Sequence, residues 1–262
     1  MITILGLVIG IGGILLGNVM EGGHVASLIQ PGAAFIVMGG TLGATLLASS
    51  YRDFTEALKM IPGLFFKMES MNVKEIAEQI VEFAKIARKE SILALEKKVS
   101  TSPKPFFRDV MRLVIDGVDP QTIRKVFETK INQEESRKLS AAKVFSDAGG
   151  YSPTIGIIGA VLGLIHVMNN LTDTAELGRG IAVAFVATIY GIALANLILI
   201  PIGSKIKKNI SLEKREKQMI LDGGLGILNG LNPYVITEML NGYLDGDTLE
   251  SAADVEKNVG KS

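Results

Sequence analysis

Cysteine and tryptophan are absent from this chain, and histidine occurs only as His24 and His166. Without cysteine there is neither a disulfide nor a thiolate metal site. Two histidines do not make a multi-histidine metal centre within one chain, and no zinc-ligand spacing is present. Without tryptophan there is no indole belt at a membrane interface. An excess of one charge sign is missing as well: 27 Lys and Arg stand against 27 Asp and Glu. That balance gives no argument for nucleic acid as a partner. No alternating β pattern occurs anywhere, so the expected fold is all-α.

The chain has instead long stretches with no charge. None stands between Asp147 and Asp173 if His166 is neutral, and none between Arg179 and Lys205. Each run exceeds the roughly 20 residues that cross a bilayer core. Tyr151 to Ser204 therefore reads as two membrane helices joined by a short polar turn. Gly156, Ala160 and Gly163 lie along one side of the first. Ala184, Thr188, Gly191 and Ala195 lie along one side of the second. Small residues at this spacing let helix backbones approach where the hydrophobic effect gives no help.

Two more spans precede this hairpin. Met1 to Met20 is apolar, with Gly6, Gly10, Gly13 and Gly17 on one face, which predicts tight helix packing. It lacks a basic leading region and an A-x-A-like cleavage site, so it is expected to remain as a helix. Gly32 to Ser49 is the second span, with Gly39, Gly40 and Gly43 as expected contact residues. The expected architecture is a polytopic membrane protein with four transmembrane helices and a large helical cytoplasmic insertion between the second and third. Residues 1–50 form one hairpin, with spans at about 1–20 and 32–49. Residues 51–147 form the insertion. Residues 148–204 form the second hairpin, with spans at about 151–171 and 179–202, and 205–262 hold C-terminal helices and a tail.

In the insertion Ile76, Ile80, Phe83, Ala87 and Leu95 trace an apolar stripe while the charged residues stay off it. Pro103 and Pro105 mark a loop, and Phe106 to Ile115 a short helix. Asp119-Pro120 is an N-cap followed by proline at the first helical position, opening a helix to about Leu139. Asn232-Pro233 opens another, to about Tyr243, and the polar, acidic Asp245–Ser262 is expected to be disordered. The loops Glu21–Pro31 and Leu171–Gly178 hold no Lys or Arg, whereas the segments after Ser49 and Gly203 are rich in them. The positive-inside rule then puts both termini and the insertion in the cytoplasm.

Nothing here reads as an enzyme. The glycine-rich Gly156–Gly163 is not followed by Lys-Ser/Thr, so it is no phosphate loop. An ion path ordinarily carries an ionisable intramembrane residue. Only His166 qualifies, and it reads as a packed or interface-facing neutral ring. A required carboxylate should come from another chain. Pro153 and Pro201 each remove a backbone donor; one reading is a helix start and a helix end, the other a coupling role with a kink at Pro201. Thr154 and Thr188 can bond back to their own helices. Their joint placement in the hairpin makes them pathway candidates.

The runs GGYSPTIGIIGAVLGLIHVM and AVAFVATIYGIALANLILIPI, with ARKESILALEKKV and LDGGLGILNGLNPYVI, resemble the flagellar stator family MotA/PomA within the MotA/TolQ/ExbB superfamily. The resemblance spans nearly the whole chain. It implies a homo-oligomeric ring, a pentamer, around two single-span MotB-type partners that supply the ion-binding aspartate, in the bacterial cytoplasmic membrane. It implies torque on the rotor protein FliG. Pro153 and Pro201 match the prolines coupled to ion flow, and Thr188 the threonine facing the partner's aspartate. Arg88 and Glu96, with Lys89 assisting, match the residues contacting FliG; their separation of eight is about two helical turns, so both can face one partner surface. No cofactor is implied. Sodium-using relatives tend to carry hydroxyls where this chain has Ala160 and Ala187, so the expected ion is H+, with Na+ as the alternative because TIYG followed by Ala195-Asn196 resembles sodium-type members. The competing readings are a TolQ/ExbB-like energiser, a transporter and a membrane scaffold.

Overall fold

The computed structural model describes residues 2–65, 73–169, 174–244 and 249. The expected disorder of Asp245–Ser262 falls, apart from Leu249, outside the described residues, as does the middle of the turn after Asn169. Among the described residues there are helices and no strands. Four of the described helices are long and apolar enough to cross a membrane. The chain divides into two compact units, 1–68 with 137–208 and 69–136 with 209–262.

The first unit holds the apolar helices. α1 spans Ile2–Met20, α2 Pro31–Ala48, α3 Tyr51–Met60 and α4 Pro62–Phe65. To these it adds the later part of α8 (Pro120–Asn169), α9 (Thr174–Ala193), a π-helical segment at Leu194–Leu199 and the start of α10 (Ile200–Leu228). α2 buries Ala33, Val37, Thr41 and Thr45, one residue every four, on a single stripe. Ala33 and Val37 pack with Val186 and Ala187 of α9. Ser50 caps α3 by accepting from the Asp53 N–H at 3.1 Å, which satisfies a donor the helix cannot. The Lys205 ammonium donates to the Thr3 hydroxyl and, at 3.1 Å, to the Leu64 carbonyl, tying α10 to α1 and α4.

The glycine face of α1 behaves otherwise than its spacing predicts. A Cβ at Gly10 would lie 3.2 Å from Leu197, but Gly6, Gly13 and Gly17 have nothing within 4 Å. On α2, Gly40 meets Ile155 at 2.7 Å, while Gly39 and Gly43 meet nothing. The pattern is real, yet most of it faces away from the rest of this chain. Periodicity identifies a face and not its partner.

The second unit has a conventional apolar core. α5 (Val73–Lys89), α7 (Pro105–Ile115), the first turns of α8, the later part of α10 and α11 (Pro233–Asn241) contribute to it. Ile76, Ile80 and Phe83 are buried as the stripe requires, together with Phe107, Met111, Ile123, Met219, Ile220 and Ile236. Gly223 and Gly224 let α10 come close: a Cβ there would stand 2.6 Å from Ile80 and 3.0 Å from Val110. α10 ends in a Schellman motif, with Gly230 at φ +67°, its N–H on Ile227 O and the Leu231 N–H on Gly226 O. Asn232 then caps α11 through the Tyr234 N–H at 3.1 Å. Lys214 and Lys217 pair with Glu135 at 2.6 Å and Glu134 at 2.7 Å, joining α10 to α8. The Tyr243 hydroxyl donates to Asp222, which also pairs with Arg124 at 3.1 Å. Burial first, and then this bond to Asp222, push the phenol up to about 12, so it stays a donor at neutral pH.

The helix opened by Asp119 does not stop near Leu139. Its cap is as expected, the Thr122 N–H on Asp119 Oδ2 at 2.9 Å, but α8 runs on to Asn169. The doublet Gly149-Gly150 is accommodated because Gly149 packs against Ile200, whose Cγ1 would be 2.6 Å from any Cβ there. Pro153 therefore does not start a helix; it lies inside one.

Candidate functional site

α8 and α9 meet along a seam of very small residues. A Cβ at Gly163 would lie 2.8 Å from the Ala184 nitrogen, and one at Gly156 2.9 Å from the Ala187 carbonyl oxygen. One at Gly191 would lie 2.6 Å from the Ser152 carbonyl oxygen, and one at Gly180 3.2 Å from that of Gly163. These are backbone-to-backbone approaches, the kind that hold helices together in a solvent as apolar as they are. Ser152, Gly156, Gly159 and Gly163 run down one helix, and Gly191, Ala187, Ala184 and Gly180 run up the other. The sequence placed Ala160 on this seam, but Gly159 takes that place, where a Cβ would lie 2.7 Å from the Ala187 methyl, and Ala160 is half-buried beside it. Both positions satisfy a three-or-four spacing, so periodicity alone does not choose between them.

The prolines and threonines sit on this frame. Pro153 is half-buried, and its missing N–H leaves the Gly149 carbonyl without its in-helix donor. Pro201 is exposed and does not end its helix, since α10 continues to Leu228. The π segment directly before it relaxes the ladder to i→i−5, with the Ile200 N–H on Ala195 O. A proline ring crowds the carbonyl four residues back, and a wider turn there gives it room. Thr188 is half-buried and its hydroxyl donates to Ala184 O at 3.3 Å; Thr154 is exposed and donates to Tyr151 O at 2.7 Å. Each hydroxyl thus bonds back to its own helix. Ala187 is fully buried against Gly159 and α2. His166 is exposed, so its ring is not packed in a core.

Arg88, Lys89 and Glu96 belong to the second unit and all three are exposed. They do not share one helix, contrary to the reading from their spacing. α5 ends at Lys89, the chain turns at Ser91, a 3₁₀ turn covers Ile92–Leu95, and Glu96 opens α6 (Glu96–Ser100). Ser91 breaks the helix by adopting extended backbone and accepting the Leu93 N–H at 3.1 Å. The Lys98–Glu82 pair at 2.8 Å links α6 back to α5.

Residues 98–219 match the MotA/TolQ/ExbB proton channel family, and residues 4–91 match the N-terminal region of motility protein A. A motility protein A of Helicobacter pylori (strain 26695) is 34% identical over 242 residues, 92% of this chain and 94% of its own length. The chain belongs to the motility protein A family. PomA of Vibrio alginolyticus, named a chemotaxis protein, is 31% identical over 243 residues, covering 93% of this chain and 94% of itself. Among solved structures, C. jejuni MotAB matches with a TM-score of 0.88 and 31% identity, covering 94% of this chain and 96% of its own. The flagellar MotAB stator complex from Bacillus subtilis matches with a TM-score of 0.86 and 29% identity, covering 98% and 99%. The chain is a membrane-spanning, all-α flagellar stator subunit.

Two residues of this stator subunit escape a reading by motif. Ser152, beside Pro153, is fully buried and donates to the Gly191 carbonyl at 2.9 Å. Tyr190 reaches across from α9 to the α1–α2 connection, donating to Leu28 O and accepting the Gln30 N–H at 3.3 Å. A serine and a tyrosine in apolar runs were the available signal, since a buried polar group in lipid needs a partner. Tyr190→Phe removes both bonds while keeping the ring. At about 1 kcal/mol each, the expected result is a thermal midpoint lowered by a few degrees with unchanged native mass. An unchanged midpoint in detergent would mean that the connection is held by other contacts.

Proposed function

We propose that this stator subunit assembles as a homo-oligomeric ring, a pentamer, around single-span helices of a MotB-type partner. The ring sits in the bacterial cytoplasmic membrane with both termini inside, passes H+, and pushes the rotor protein FliG through Arg88, Lys89 and Glu96. The observation that carries this is a hairpin whose two apolar runs carry no carboxylate. Between Asp147 and Asp173, and again between Arg179 and Lys205, there is no ionisable carboxyl or amine, while Pro153, Thr154, Thr188, a π segment and Pro201 are spread over these two runs. A partner must then bring the ion-binding group. Thr188 faces that group, and Pro153, Thr154 and Pro201 couple its loading to helix movement. Gly6, Gly13 and Gly17 of α1, with nothing of this chain within 4 Å of a Cβ there, supply contact surface for neighbouring copies. Native mass measurement of the chain co-expressed with the single-span partner tests the assembly. Monomers alone would sink it.

The lever has its own test. Arg88 is exposed and outside the membrane helices, so Arg88→Glu leaves assembly intact. Reversing a rim charge sets like charges against the rotor and lowers torque several-fold. A compensating charge reversal on FliG restores part of it. Loss of membrane assembly in Arg88→Glu would give the residue a structural role instead.

A further inference from the structure

We infer that Ser152 is a positioning residue that sets the axial register of α8 against α9, and through it the height of Thr188 in the ion step. The inference rests on the stator reading above. A seam of glycines and alanines specifies how close two helices come, but it has few knobs to stop one helix sliding along the other. The Ser152 hydroxyl supplies a directional link across it. That hydroxyl has no solvent exposure, and its bond to the Gly191 carbonyl spans 39 residues of sequence. The link sits beside Pro153, where the Gly149 carbonyl lacks its in-helix donor and α8 bends most easily. On α9 it ends at Gly191, one turn after Thr188 and just ahead of the π segment at Leu194–Leu199. Both deformable points of the hairpin thus flank one fixed point. A change at Pro153 or in the π segment is then transmitted relative to that point rather than lost in sliding.

Ser152→Ala removes the link without adding bulk. The informative readout is a single tethered motor whose speed rises in steps as stator units join. A register defect lowers the height of each step; a purely structural defect lowers the number of steps. Ser152→Ala is expected to give steps at least two-fold smaller at an unchanged maximum number. Ser152→Thr, which keeps the hydroxyl, is expected to give taller steps than Ser152→Val, which carries similar bulk without it. Wild-type step height in Ser152→Ala overturns the inference. So do fewer steps of normal height, failure to reach the membrane, or equal steps in the Thr and Val variants. If the wild-type chain with its partner yields no steps at all, the stator reading falls and this inference with it.

Discussion

Gly191→Ala is expected to abolish motility and to remove most of the assembled complex from the membrane. The added Cβ would stand 2.6 Å from the Ser152 carbonyl oxygen, 3.1 Å from the Gly156 Cα and 3.2 Å from the Pro153 Cα. All three are backbone atoms of α8, so no side chain can rotate away and the helices must separate. Overpacking ordinarily costs about 1–3 kcal/mol, and here the separation also loosens the contacts at Gly156, Gly163 and Gly180. The contrast is Gly10→Ala, where the nearest atom is the Leu197 Cδ2 at 3.2 Å, the flexible end of a side chain. That variant should swim nearly as wild type. Soft-agar swimming and the yield of complex co-purified with the partner read both. Normal swimming and yield in Gly191→Ala would show that the seam is looser than these distances.

Replacing sodium by potassium should leave wild-type swimming intact, and a protonophore should stop it where a sodium gradient cannot substitute. Sodium asks for several oxygen ligands, whereas a proton needs one base and a water chain. This hairpin has methyls at Ala160 and Ala187, and Ala187 is fully buried. Thr188→Val tests the same path from the protein side. The swap nearly keeps volume but deletes the hydroxyl. The lost bond, 3.3 Å to Ala184 O, is worth about 1 kcal/mol at most, so the complex is expected still to assemble. On the proposed path, with a partner's carboxylate loaded and released beside this position, ion passage is expected to suffer far more. Speed that tracks external sodium at constant proton-motive force would reverse the ion assignment and leave the stator family untouched. Full motility in Thr188→Val would take Thr188 out of the path.

Much of this protein is legible in local patterns. The α5 stripe of Ile76, Ile80 and Phe83 predicted its buried face, because burial follows the helical period. Asp119 and Asn232 predicted helix starts, because capping is chemistry between near neighbours. The same logic misled at Arg88 and Glu96, where a spacing of eight suggested one helix. Ser91 offers a cap in the middle of the interval, and a local competitor for backbone hydrogen bonds ends the helix there.

The sequence by itself determined that the chain is helical, lies in a membrane with four spans, and carries small residues where helices meet. Those properties follow from composition and period, which lipid and backbone hydrogen bonding read residue by residue. Tertiary structure alone decided that α8 passes unbroken through Gly149, Gly150 and Pro153, because Ile200 fills the space that the glycine leaves. It also decided that Gly159 rather than Ala160 meets Ala187, and that the Ser152 hydroxyl finds Gly191. Each is a contact between segments far apart in the chain, and its energy depends on distances that no single stretch of sequence contains.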